Sequence, residues 1–139
     1  MLRLLLPVDG SAGSDRAVHV AIKLYRDVTP VRIHLLHVLP HDDGIALDPS
    51  PSDGAASKNP GDGNRGLSSA RALLDGAGIP YASDVRSGFV PSAIIEYGRA
   101  MECNGIVMGT RGMGSTEALL GSIARQVIQL SDVPVTLVK

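Results

Sequence analysis

The residues best suited to chemistry in this sequence gather around glycine. Gly109-Thr110-Arg111-Gly112 is followed by eight residues and then by Gly121-Ser122. Glycines admit close backbone approach and unusual φ values. Gly121-Ser122 precedes or opens a segment whose Ile123, Ala124, Val127 and Ile128 fall on one helical face. Unbonded N–H groups at such a helix start, with the helix dipole behind them, attract phosphate oxygens. The Ser122 hydroxyl would add a donor. The same spacing also suits a tight turn with Ser122 as a plain helix cap, and spacing alone leaves both readings open. No Gly-Lys-Ser/Thr occurs, so this is not a P-loop, and no Gly-x-Gly-x-x-Gly follows the first apolar run.

A second candidate is Asp9, where the run Leu2 to Val8 meets Asp9-Gly10. An acid at a strand end often caps the next turn, but the topology argued below favours a ligand role. Arg111 and Arg125 are read as solvated arginines, although either could approach a phosphate. The four histidines have no metal spacing, and by parity His34 and His37 lie on opposite sides of one strand. Ser122 has no evident His/Asp partners for nucleophilic catalysis. Glu117 is the only acid between Gly109 and Ser122, thin support for a phosphate-processing enzyme.

These residues need a scaffold. Leu2–Val8, Val31–Leu39, Ile79–Arg86, Gly105–Gly109 and Val133–Val138 read as strands. Helical stripes fall after Ser11–Ser14, over Leu67–Asp75, after Pro91 and after Gly121-Ser122. Pro80 pushes the third strand to a sheet edge. Strict alternation implies an open, mostly parallel five-stranded α/β sheet with helices on both faces. With right-handed crossovers the natural strand order is 3-2-1-4-5. Winding reverses between strands 1 and 4, and ligands of open α/β sheets bind there, beyond the carboxyl ends. Asp9 ends strand 1 and Gly109 ends strand 4, so both motifs meet at the expected site.

Composition narrows the function classes. The 139 residues suit one domain, 1–139, and 44% are apolar but only 3% aromatic, as expected of an aliphatic parallel-sheet core. The segment from His41 to Gly66 is rich in Asp, Gly, Pro, Ser and Asn and is expected to be a mobile loop. A net charge of −1 gives no footprint for nucleic acid or an anionic membrane. No apolar run suffices for a signal peptide or membrane span. The lone Cys103 is read as a small buried hydrophobe. These features lead to the expectation of a cytoplasmic protein in a reducing compartment.

The glycine spacing, Leu6-Pro7-Val8-Asp9-Gly10-Ser11, Leu36-His37-Val38, Gly88, Ile106 to Gly112 and Asp132 to Val138 together resemble the universal stress protein family. Its ATP-binding members carry Gly-x2-Gly-x9-Gly-Ser/Thr after strand 4, and this sequence has one residue fewer between the second and third glycines. The resemblance implies that Asp9 and the backbone of Val38 face adenine, with Pro7 shaping that pocket. It places Met108 and Gly109 beside the ribose. Gly112, Gly121, Ser122 and Ile123 would then hold phosphates, mainly through backbone N–H groups. The shorter loop bears on the triphosphate and leaves the adenine side untouched.

The resulting expectation is a sensor or regulatory module binding ATP or another adenine nucleotide, with or without Mg2+, and with little or slow hydrolysis. The alternatives are a family member that has lost nucleotide and acts as a dimeric interaction module, and an ATP-using enzyme. A receiver-type signalling domain would need paired acids after strand 1, which Pro7-Val8-Asp9-Gly10 does not supply. The apolar last strand, Val133–Val138, lies at a sheet edge and has no internal charge, which invites pairing. A two-fold homodimer through that strand is expected, as the resemblance also implies.

Overall fold

A computed structural model describes residues 2–27, 30–40, 60–110 and 121–139. Five strands and four helices alternate along them: β1 Leu2–Pro7, α1 Ala12–Asp27, β2 Val31–Pro40, α2 Pro60–Ala77, β3 Tyr81–Gly88, α3 Val90–Ala100, β4 Gly105–Gly109, α4 Ser122–Leu130 and β5 Val135–Val138. The sheet is parallel throughout, in the order β3-β2-β1-β4-β5. Fold class and strand order therefore match the sequence reading, and β3, preceded by Pro80, is an edge strand.

The apolar run of β1 is explained by its two buried faces. Leu4 and Leu6 join Ala17, Val18, Ala21 and Ile22 of α1 and Leu67, Ala70 and Leu74 of α2 in one core layer. Leu5 joins Ile94, Ile95 and Tyr97 of α3 and Ala124 and Val127 of α4 in the other. Each fully buried Leu or Ile contributes about 1.5–3 kcal/mol of transfer free energy. Both layers consist mainly of aliphatic side chains, as the low aromatic content requires. Cys103 is buried in the second layer, and burial raises its thiol pKa.

Several boundaries differ from the sequence reading. The expected loop ran to Gly66, but α2 already begins at Pro60. Proline's fixed φ suits a helix start, and Gly66 lets the helix lie against the His37 ring, which a Cβ there would meet at 2.5 Å. Residues 41–59 of that expected loop lie outside the described residues. The last strand begins at Val135 rather than Val133. Ser131 is the reason: its hydroxyl donates to the Val133 carbonyl at 2.7 Å and accepts the Val133 N–H at 3.1 Å, holding Val133 in a local turn.

Helix ends follow capping chemistry. Gly78 takes φ +72° after α2, where its N–H donates to the Asp75 carbonyl and that of Ile79 to the Leu74 carbonyl. Glu102 fills the same role after α3 at φ 56°, with the matching bonds from Glu102 to Arg99 and from Cys103 to Gly98.

Candidate functional site at the carboxyl end of the sheet

β1 lies between β2 and β4, so the winding reverses at its carboxyl end. The turn there is built from short polar side chains. Gly10 adopts φ 83°, a conformation that favours glycine. The Asp9 carboxylate accepts the Ser11 N–H at 2.9 Å, an Asx-type closure of the turn. Ser11 caps α1, its Oγ accepting the Ser14 N–H at 3.2 Å. The Ser14 hydroxyl donates to the Ser11 carbonyl at 3.1 Å and accepts the Asp9 N–H at 3.4 Å. The half-buried Asp9 therefore has the structural role that the sequence weighed against a ligand role, and one contact does not exclude the other.

Beside this turn, the β2 backbone runs past the end of β1. The Leu36 carbonyl accepts the Val8 N–H at 2.8 Å. Backbone groups two residues further along a strand point the same way, so the Val38 carbonyl is directed beyond Pro7, over the turn. Pro7 and Val38 are both buried. His37, on the opposite face of β2, fastens this corner, with Nδ1 2.8 Å from the Val8 carbonyl oxygen. His34 and His37 do lie on opposite faces, as parity required.

Across the reversal, β4 ends at Gly109. A Cβ at Gly109 would sit 2.8 Å from the Gly13 carbonyl carbon and 2.9 Å from its oxygen. This contact brings the first turn of α1 against the end of β4. The sequence signal was a glycine in the first turn of α1 matched by a glycine at a strand end, legible only once the two elements are known to touch. The Met108 side chain is buried in the α3–α4 layer, so its contribution at the sheet end would come from its backbone.

One of the donors expected at the phosphates already has a partner within the chain. The Gly121 N–H donates to the Thr110 carbonyl at 2.8 Å, tying together the two ends of the segment between them. Gly121 is the N-cap of α4, with φ −70°, so no positive φ demands glycine there. The first helical bond runs from the Arg125 N–H to the Gly121 carbonyl. The amides of Ser122, Ile123 and Ala124 therefore precede the helical ladder and are the donors available at this helix start. Ser122 is exposed, and Ile123 is 40% exposed. Gly112, Arg111 and Glu117 lie outside the described residues.

An acid-closed turn, a strand carbonyl directed past its neighbour and a helix start lie at the carboxyl end of the sheet, where the winding reverses. That arrangement is of the open α/β type, a class in which ligands bind at such a reversal. The chain belongs to the universal stress protein family, whose model matches residues 1–139. A universal stress protein of Methanocaldococcus jannaschii is 25% identical over 142 residues, covering 99% of this chain and 81% of that protein. The fold resembles that of a universal stress protein solved in complex with cAMP, with a TM-score of 0.76, 21% identity, and coverage of 99% of this chain and 97% of that one. It also resembles a family protein of Arabidopsis thaliana solved with AMP bound, with a TM-score of 0.71, 16% identity, and coverage of 100% and 92%.

Proposed function

We propose that this chain binds an adenine nucleotide, with ATP the leading candidate, and acts as a cytoplasmic stress-response sensor or regulator with little hydrolysis. The observation that carries this reading is the convergence of the Asp9 turn, the Val38 carbonyl and the α4 amides at the winding reversal. The donor types fit the ligand. Strand-end carbonyl and carboxylate oxygens suit the amino edge of adenine, and helix-start amides with the Ser122 hydroxyl suit phosphate oxygens. Relatives solved with AMP and cAMP add support. Mg2+ would accompany a bound triphosphate.

Native mass spectrometry of the purified protein would show whether an adenine nucleotide copurifies. Calorimetric titration with ATP, ADP, AMP and cAMP would rank them. No saturable binding of any of the four would overturn the reading.

A second reading, an interaction module without nucleotide, draws on the diversion of the Gly121 N–H to Thr110. Both readings accommodate a homodimer through β5. The Pro134 carbonyl accepts from Ile106 of β4 and the Val138 carbonyl from Thr110 just beyond it, so by alternation the amides of Val135 and Leu137 face the open edge. Ile128 and Leu130, towards the end of α4, are 43% and 45% exposed. An antiparallel meeting of two β5 strands would let the same patch serve both partners.

A further inference from the structure

The ladder between β1 and β2 ends on a side chain. Parallel strands bond at even spacing, every second residue of β2 giving its N–H to one β1 carbonyl and taking the next β1 N–H at its own carbonyl. The series reaches the Val8 N–H, which donates to the Leu36 carbonyl at 2.8 Å. Its next bond would run from the Val38 N–H to the Val8 carbonyl. Among the described residues that bond does not form, and the strand pairing stops at Pro7 and Leu36. The Val8 carbonyl oxygen has His37 Nδ1 at 2.8 Å instead. A carbonyl only accepts, so Nδ1 carries the hydrogen and donates it.

The ring is kept in that place by packing. His37 is half-buried, and α2 passes over it at Gly66, where a Cβ would come within 2.5 Å of Cε1 and Nε2. The His37 side chain thus takes the acceptor that the backbone of the next residue would otherwise use.

The consequence falls on Val38. In a strand the N–H and carbonyl of one residue face the same side, so both Val38 groups are directed past the end of β1. Among the described residues neither has a partner there, although Val38 is only 7% exposed. Backbone groups of buried residues are nearly always bonded, so this pair points to a partner from outside the chain.

We propose that His37 sets the base preference of the nucleotide site: by donating to the Val8 carbonyl it keeps the Val38 N–H out of the ladder, so that Val38 offers a donor and an acceptor side by side. This inference rests on the nucleotide reading and deepens it. Adenine has the matching edge, a ring nitrogen that accepts beside an amino group that donates. Hypoxanthine has the reverse, a ring N–H beside a carbonyl oxygen, which sets donor against donor and acceptor against acceptor. A site that leaves such groups unpaired rejects the wrong ligand strongly. His37 acts through Val8 and Val38 and is a positioning residue.

The test compares AMP with IMP, which differ only at that edge, by calorimetric titration into the full chain and into His37→Phe and His37→Asn. Phenylalanine keeps a ring beneath Gly66 but has no donor, whereas asparagine keeps an N–H donor on a short side chain and loses the ring. The wild type should bind AMP about tenfold tighter than IMP or more, because both contacts reverse. In His37→Phe the Val38 amide should return to the ladder, AMP should weaken about 3- to 10-fold, and the preference should shrink by the same factor, the worth of one neutral hydrogen bond. His37→Asn should keep the preference. Hydrogen exchange in the ligand-free proteins reads the ladder without any nucleotide. The Val38 amide should exchange faster than the Val8 amide in the wild type and as slowly as the Val8 amide in His37→Phe. An undiminished preference in His37→Phe, a preference lost equally in His37→Asn, or a Val38 amide already as slow as that of Val8 in the wild type would each overturn the role of His37. Absence of saturable AMP binding to the wild type would instead overturn the nucleotide reading and the base preference with it, while the exchange rates would still decide what His37 does to the ladder.

Discussion

Gly109→Ala places one methyl group where the backbone leaves no room. The added Cβ would lie 2.8 Å from the carbonyl carbon, 2.9 Å from the oxygen and 3.3 Å from the Cα of Gly13. All three atoms are backbone in the first turn of α1, so no side chain can rotate away. The helix must move by several tenths of an ångström, and it is held by the buried Ala17, Val18 and Ala21 behind it. Overpacking of this kind costs about 1–3 kcal/mol. For a chain of this size each kcal/mol lowers the melting temperature by about 3–5 °C, so a fall of about 3–15 °C is expected. Differential scanning calorimetry measures it. The same shift displaces the Asp9–Ser14 turn, so nucleotide affinity should fall in a variant that still folds. The reference is Gly76→Ala, in the last turn of α2, where a Cβ meets nothing within 4 Å. That variant should gain about 0.4–1 kcal/mol by restricting the unfolded chain. A Gly109→Ala protein as stable as wild type would refute the reasoning about the α1–β4 contact.

Three further outcomes are expected. Asp9→Ala should cost about 1 kcal/mol of stability through loss of the Ser11 closure and should also weaken ATP binding in calorimetry. Asp9→Asn, which keeps an acceptor oxygen, should recover most of the stability, and equal losses in both variants would argue against the turn's role. The lowered pKa of His34 means the folded state takes up its proton less readily than the unfolded state. Stability should therefore fall as pH drops through about 6.5, the unfolded value, and in His34→Phe melting temperature should depend less on pH between 5 and 7. An identical pH profile in the variant would contradict this. Thr136→Lys should shift a β5-mediated dimer towards monomer in sedimentation equilibrium. Thr136 is exposed, whereas Leu137 packs against the core and would unfold the monomer if charged. A dimer as tight as the parent's would exclude this interface.

The fold was legible because its signals are local and repeated. Each strand is a short apolar run between turn residues, and each helix carries a buried stripe, so strict alternation leaves little freedom in strand order. The Gly10 turn, the Ser11 cap and the Gly78 terminus could likewise be read, because each depends on residues within a few positions. Boundaries were less legible. Pro60 could equally have belonged to the polar run before it, and only packing against β2 reveals a helix there. Val133 has the side chain of a strand residue, and the nearby Ser131 hydroxyl keeps it out of the strand.

The amino-acid sequence by itself determined the class of this protein, the winding reversal and the family, because periodicity and short motifs are properties of neighbouring residues. Only the tertiary structure decided how the groups at the reversal are used. It committed the Gly121 N–H to Thr110, aimed the Val38 carbonyl past β1, and set Gly109 against Gly13, some ninety-six positions apart. It also buried both His34 ring nitrogens with no hydrogen-bond partner among the described residues. Such facts concern which backbone atoms face each other across the sheet and its helices. They arise when long-range packing brings the elements together, and no local pattern of residue types encodes them.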